Sequence, residues 1–221
     1  MNPVLRNGGL VVNLETAHRC LSSAVLGGGL GWVLTWLNLQ VASGYDCTDP
    51  ETDLREAARG LERPVVGMLT AAPVARFTGG ACGCARAVIT VGLRHPIVAA
   101  SPHPPAASVG TINGLVVVGV PLSDAGLVDA HRTAVEAKAQ ALAAARVRAP
   151  NADGFATGTP TDCFCIACPP GGTVPYAGPA TRHGQDVARA VYRGVLEGAR
   201  VRQVGLRKGK RQGADLVREE G

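Results

Sequence analysis

Ser123–Arg148 reads SDAGLVDAHRTAVEAKAQALAAARVR, and Ala156–Asp162, shortly after it, reads ATGTPTD. The first stretch decides the fold reading. It holds no glycine after Gly126 and no proline, and Ala, Leu, Glu, Lys, Gln and Arg, all strong helix formers, dominate it. Ser123 or Asp124 is placed to cap its start, and Arg146 and Arg148 fall at its negative end. Wound at a helical period, it gathers Leu127, Ala134, Val135, Ala141, Leu142 and Ala145 on one face. Asp129, Arg132, Thr133, Glu136 and Gln140 fall mostly opposite. His131 and Lys138 land inside the apolar stripe. A core-facing lysine is costly unless it finds a partner or reaches the rim. Either Lys138 snorkels to the sheet edge or pairs with a structural carboxylate, or it does chemistry.

Outward from this helix, the composition bounds the rest. The chain has 221 residues, 46% of them hydrophobic, enough for a folded core. Aromatics are 4%, which argues against a stacking platform for single-stranded nucleic acid, so no nucleic-acid partner is expected. The formal net charge is +5, and Arg200, Arg202, Arg207, Lys208, Lys210 and Arg211 crowd the C-terminus. That run reads as a basic flexible tail, 201–221, behind a single domain, 1–200. Residues 20–45 carry no charge, yet Gly27-Gly28-Gly29 interrupts them. They read as two buried strands joined by a glycine turn, not a membrane span. The start, MNPVLRNGG, has no basic region leading into an apolar core, so a cytoplasmic setting with reduced thiols is expected for the seven cysteines. Cys82-x-Cys84 and Cys163-x-Cys165-x2-Cys168 depart from zinc-knuckle spacing. Strand alternation puts Cys163 and Cys165 on one face and Cys168 on the other, as small hydrophobes, and no metal site is expected.

Strands are expected at Gly9–Leu14, Gly31–Val41, Val65–Thr70, Ala85–Gly92, Thr111–Val120 and Asp162–Ala167, with a short edge strand at Val174–Ala177. Glu15–Arg19 reads as a polar connection, Cys20–Leu26 as extended or a short helix, and Phe77–Cys84 as a hairpin connection. His95–Ser108 is an aperiodic surface loop. Glu51–Gly60 is a charged surface helix, capped by Asp49 or Thr48 with Pro50 in its first turn, and His183–Arg200 is the last helix. Strands outnumber helices, so strict βα alternation fails. The expected fold is α+β, a single domain whose mixed or antiparallel sheet is packed by two long helices and one short surface helix.

Seven blocks in order give the chain a resemblance to a known family: LSSAVLGGG (Leu21–Gly29), YDCTDPE (Tyr45–Glu51), VGMLTAA (Val66–Ala72), GTIN (Gly110–Asn113), PLSDAGLVDA with TAVEAK (Pro121–Lys138), ATGTPTD (Ala156–Asp162) and YAGPATRHGQDVARAVYRGV (Tyr176–Val195). Together they resemble the adenosylcobinamide amidohydrolases. The resemblance implies hydrolysis of the amide joining the aminopropanol arm to the corrin ring, giving adenosylcobyric acid for cobalamin synthesis. It implies a corrinoid as the small-molecule partner and no cofactor of the protein's own, since the substrate carries its cobalt. Gly27, Pro73 and Arg94-His95 depart from the family's usual residues. A corrinoid-binding protein without turnover and a cysteine-based metal or redox protein remain as alternatives, and a homo-oligomer is left open.

Amide hydrolysis needs a nucleophile or activated water, an oxyanion stabiliser and a proton donor for the departing amine. No HExxH, GxSxG or paired Cys-His signature is present. The catalytic candidates are therefore Lys138, Asp162, Thr159, Thr161 and Asn113. Asp162 would activate water or a threonine hydroxyl. Lys138 would hold Asp162 ionised or protonate the amine. Asn113 and backbone amides near Gly158 would hold the oxyanion. Ser22, Ser23, Gly27, Gly28, Gly29, Thr70, Thr111, Glu136, Gly158 and His183 are the candidates for substrate contact. Against these stand ordinary roles: Asp162 as a turn cap, the threonines as backbone-bonding hydroxyls, Glu136 as a surface residue and His183 as a first-turn residue.

Overall fold

The computed structural model describes residues 1–102 and 110–219, without the side chains of 203–219. Of the His95–Ser108 loop, residues 103–108 lie outside it. In chain order the elements are β1 (Val4–Arg6), β2 (Gly9–Ser22), β3 (Gly29–Gln40), α1 (Pro50–Ala57), β4 (Val65–Thr70), β5 (Thr78–Cys82), β6 (Ala85–Val91), β7 (Ile112–Val118), α2 (Asp124–Ala144), β8 (Cys163–Cys168) and α3 (Arg182–Glu219).

The strands form one mixed sheet in the order β4-β3-β2-β8-β7-β6-β5, with β1 beside β2. β3 and β4 run parallel, as do β7 and β8, and each of these pairs is joined through a helix, α1 or α2. The other pairings are antiparallel. The expected α+β class holds, and of the two sheet types offered it is the mixed one.

The helices α2 and α3 cover one face, against Ile89, Val116, Phe164 and Ile166. The other face turns in on itself. In strand order β3, β2 and β8 separate β4 from β7, yet Asn113 on β7 donates to the Leu69 carbonyl on β4 and to Asn38 Oδ1 on β3, both at 2.8 Å. Those bonds require the sheet to curl. The device is in β2: its register with β3 slips between Asn13 and His18, and Glu15 sits at φ 67°. A bulge bends and twists a strand. Trp36, Met68, Cys165 and Leu115 fill the inside of the curl.

Several expectations shift. Glu15–Arg19 is part of β2, because its polar side chains point outward from a bulged strand. Thr78–Cys82, expected in a hairpin connection, is strand β5, and the turn is only Gly83-Cys84. Glycine-rich sequence hides this strand, which is held against α3: a Cβ on Gly80 would collide with the Ala190 carbonyl. Val174–Ala177 makes one isolated bridge, Val174 with Leu122, rather than a strand. The last helix continues past Arg200 to Glu219. Asp49 caps α1, accepting from Thr52 N–H at 3.1 Å, and Ser123 caps α2, accepting from Gly126 N–H at 3.1 Å.

On α2 two assignments reverse. Val135 is 38% exposed, whereas Thr133 is buried and donates to the Ala177 carbonyl at 3.2 Å. The helix packs against both the sheet and α3, so its buried arc is wider than one stripe, and small residues line it: Ala130, Ala134, Ala137 and Ala141. Cys163 and Cys165 face the inside of the curl and Cys168 the helices, as alternation requires.

Candidate active site

The loop before β8 folds back on the Asp162 carboxylate. Thr159 N–H donates to its Oδ2 at 3.0 Å and Thr159 Oγ1 to its Oδ1 at 2.5 Å. Ile112 N–H, at the start of the neighbouring β7, donates to Oδ1 at 2.9 Å. The fourth donor is the Lys138 ammonium, hydrogen-bonded to Oδ2 from α2. A carboxylate offers about four acceptor positions, so all are taken. The Lys138 residue is 6% exposed, and among the described residues Asp162 is its hydrogen-bond partner. Gly158 lies against both groups: a Cβ there would collide with the carboxylate and the ammonium alike. The apolar-face lysine thus resolves as a buried ion pair with the ATGTPTD loop. Burial, and then the nearby Lys138 charge, hold His131 below the usual imidazole range.

Beyond Asp162 opens a cleft of about 290 Å³. Its polar wall is Ser23, Asn113, Thr161, Asp162 and Cys163, and its apolar wall includes Val25, Val41, Met68 and Leu69. Burial pushes the Cys163 thiol up to about 11, so it stays protonated. Tyr45, from the loop after β3, also lines it, with its hydroxyl on Asp53. The cleft exists because the sheet curls: β4 supplies one wall and the starts of β7 and β8 the other.

The predicted residues divide cleanly. Lys138, Asp162, Thr159 and Gly158 meet at one point, and Asn113, Thr161 and Ser23 line the cleft beside it. Both amide protons of Asn113 are spent on Asn38 and Leu69, and Thr111 Oγ1 lies 3.1 Å from its Oδ1 and 2.6 Å from the Thr161 carbonyl. Thr70 is buried at the end of β4, accepting from Ala72 N–H at 3.0 Å. Ser22 is buried and accepts from Ala24 N–H at 3.1 Å. Gly27, Gly28 and Gly29 do not line the cleft but shape the turn behind it. Gly27 is at φ 69°, and a Cβ on Gly28 would meet the Ala24 carbonyl.

Two candidates lie elsewhere. Glu136 is exposed and paired with Arg132 at 2.9 Å. His183 Nδ1 lies 3.5 Å from Cys84 Sγ, where Asp186 also meets Cys82. Among the described residues no three His, Cys, Asp or Glu side chains form a group that could hold a metal ion, and the seven cysteines are free thiols. Sequence reasoning missed Tyr45, Met68, Leu69 and Cys163 in the cleft, and Asn38 behind it. Asn38, an amide flanked by Leu37 and Leu39 in the apolar run of β3, was the available signal, since a buried amide requires partners.

The structure is thus an α+β domain whose curled mixed sheet carries a cleft with a buried carboxylate on its wall and an ammonium paired behind it. Residues 2–206 match the family profile described as adenosylcobinamide amidohydrolase. An adenosylcobinamide amidohydrolase of Methanosarcina mazei is 31% identical over 193 residues, covering 81% of this chain and 90% of that one. An uncharacterized protein of Methanocaldococcus jannaschii is 33% identical over 94 residues, 42% of this chain and 37% of its own. The chain belongs to the adenosylcobinamide amidohydrolase family, and so to the hydrolases of amide bonds. Among the described residues no helix is long and apolar enough to cross a membrane.

Proposed function

We propose that this protein hydrolyses the amide between the aminopropanol arm and the corrin ring of adenosylcobinamide, releasing adenosylcobyric acid and the amino alcohol for cobalamin synthesis. The observation that carries the reading, beside family membership, is the Lys138–Asp162 pair at the floor of the cleft. Water adds to the acyl carbon, and one of its protons passes to Asp162 Oδ1 as the Thr159 hydroxyl turns its own donation away from that oxygen. The carbon–nitrogen bond breaks, and the pair returns one proton to the departing amine. Thr159, Ile112 N–H and Gly158 keep the carboxylate and ammonium in register. Thr161 and Asn113 shape the wall against which the arm lies. The proposed reaction needs only water and proton transfer; the cobalt belongs to the substrate.

The test is incubation of the purified chain with adenosylcobinamide, followed by separation of corrinoids and amine analysis. Equimolar adenosylcobyric acid and aminopropanol are expected. Corrinoid binding, seen by its visible spectrum, without either product would establish a binding protein instead.

A further inference from the structure

The cleft holds several polar groups, but most of their protons are already committed. The two amide protons of Asn113 go to oxygen acceptors at 2.8 Å. The Tyr45 hydroxyl goes to the Asp53 carboxylate, and the Thr161 hydroxyl to the Gly110 carbonyl at 3.4 Å. Asp162 is an acceptor only. Ser23 differs. Its hydroxyl points at Cys163 Sγ, 3.5 Å away, and sulfur is a weak acceptor. Its own oxygen accepts from Phe164 N–H at 3.3 Å, and its N–H donates to the Phe164 carbonyl at 3.1 Å.

These bonds fix where Ser23 stands. Strand β2 ends at Ser22, and Ser23 extends its ladder to β8 by one further link, half of it made by the side chain. The hydroxyl is therefore tied to the strand whose approach carries Asp162 and Cys163. The turn behind it is tight, because Gly28 leaves no room for a Cβ against the Ala24 carbonyl. Ser23 is exposed on the cleft side, while its neighbour Ser22 is buried and occupied. A donor held in place, facing the cleft and spent on a poor acceptor, loses little when a better acceptor enters.

We infer that Ser23 Oγ–H is the oxyanion donor of this site: it leaves the Cys163 sulfur and donates to the carbonyl oxygen of the scissile amide as negative charge develops there. The inference rests on the amidohydrolase reading. It assigns to a hydroxyl, rather than to Asn113, the stabilisation that amide hydrolysis requires. Since the bond strengthens in the transition state, its loss falls on kcat rather than on binding.

The experiment compares wild type, Ser23→Ala and Ser23→Thr in steady-state turnover of adenosylcobinamide, with corrinoid Kd and thermal midpoint measured on each. Ser23→Ala is expected to lose about 100-fold in kcat, the usual cost of one such donor, with Kd within about threefold, while Ser23→Thr, which keeps the hydroxyl, recovers most of the rate. Should Ser23→Ala not fold, Ser23→Cys, which exchanges the donor for a weak one, reads the same loss. A kcat of Ser23→Ala within threefold of wild type overturns the inference and leaves the amidohydrolase reading intact. So does an equal loss in Ala and Thr variants with lowered midpoints, which marks a structural role. A wild type that binds corrinoid without turnover overturns both.

Discussion

Lys138 and Asp162 are not equivalent partners, and their substitution separates them. Lys138→Met keeps an unbranched apolar stem, one atom shorter, and removes the charge. Asp162 then retains three donors, Thr159 N–H, Thr159 Oγ1 and Ile112 N–H. Asp162→Asn leaves the buried Lys138 ammonium without its counter-charge and turns one of the accepting oxygens into an amide donor. Breaking a buried pair by removing one member costs about 3–5 kcal/mol. The surviving donors put Lys138→Met near the bottom of that range, at about 3 kcal/mol, and the orphaned ammonium puts Asp162→Asn near the top, at about 5. At roughly 2–4 °C per kcal/mol for a chain of this length, thermal midpoints fall by about 6–12 °C and about 10–20 °C. The double variant has no unpaired charge, so it should unfold no lower than Asp162→Asn alone, a coupling that simple addition does not give. Both single variants are expected to fold and to lose turnover. Circular dichroism melts and urea titrations of the four proteins measure the order. Midpoints within about 2 °C of wild type, losses that add, or Lys138→Met as the worse of the two would refute the account of the pair. Wild-type turnover in either single variant would refute its place in the reaction.

Gly158→Ala tests the same geometry without touching a charge. Its Cβ would drive between carboxylate and ammonium, at about 1–3 kcal/mol for the overpacking. Turnover should fall more than tenfold while the protein stays folded; retained activity would show that the close approach is incidental. Asp186, away from the cleft, should govern part of the acid limb of stability. The Cys84 N–H that it accepts at 3.1 Å, with the neighbouring thiols and Arg182, holds its carboxyl below the usual carboxylate range. With the folded value below an unfolded one near about 4, its contribution is present above that pH and lost as pH falls through the folded value. Urea unfolding from pH 7 to 3 should show a shallower acid slope for Asp186→Asn than for wild type. Parallel curves would remove Asp186 from that limb.

How far the sequence carries the fold depends on which physics each segment obeys. Asp124–Ala144 was legible because propensity, cap and apolar period agree there, whereas Arg146 and Arg148, expected at the helix's negative end, lie beyond it, Arg146 at φ 56° and Arg148 bridged to Phe155. Val65–Thr70 was legible to the residue because a buried strand concentrates β-branched and apolar side chains. β5 was not, because TGGAC has no such concentration and depends on packing against α3 through Gly80. The length of β2 was not either: a bulge at Asn13–His18 is a tertiary solution with no local pattern. In the site, Lys138 stood out as a charge on the wrong face, and Asp162 as the nearest acid in an unusual loop. Their pairing is what an amphipathic period can suggest and only the crossing of α2 over β8 can make. Val135 and Thr133 exchanged places for the same reason, since the second packed surface of α2 belongs to α3.

The size of the cleft constrains where recognition and chemistry sit on the proposed reaction. A cleft of about 290 Å³ fits an amide arm more closely than a whole corrin macrocycle. The ring must then stay at the mouth, where Val25 is 49% exposed and the loop carrying Tyr45 and Cys47 forms the rim. Ring contacts that are equal before and at the transition state set affinity and leave kcat alone. On the proposed reaction the floor, with Ser23, Asp162 and the Lys138 behind it, meets the bond being cut. The curl of the sheet separates the two functions physically, with the rim on the loops after β2 and β3 and the floor on the approaches to β7 and β8. Rim substitutions should therefore move KM among corrinoids while floor substitutions move kcat for all of them, a division that a shallow site holding ring and amide on one surface would not produce.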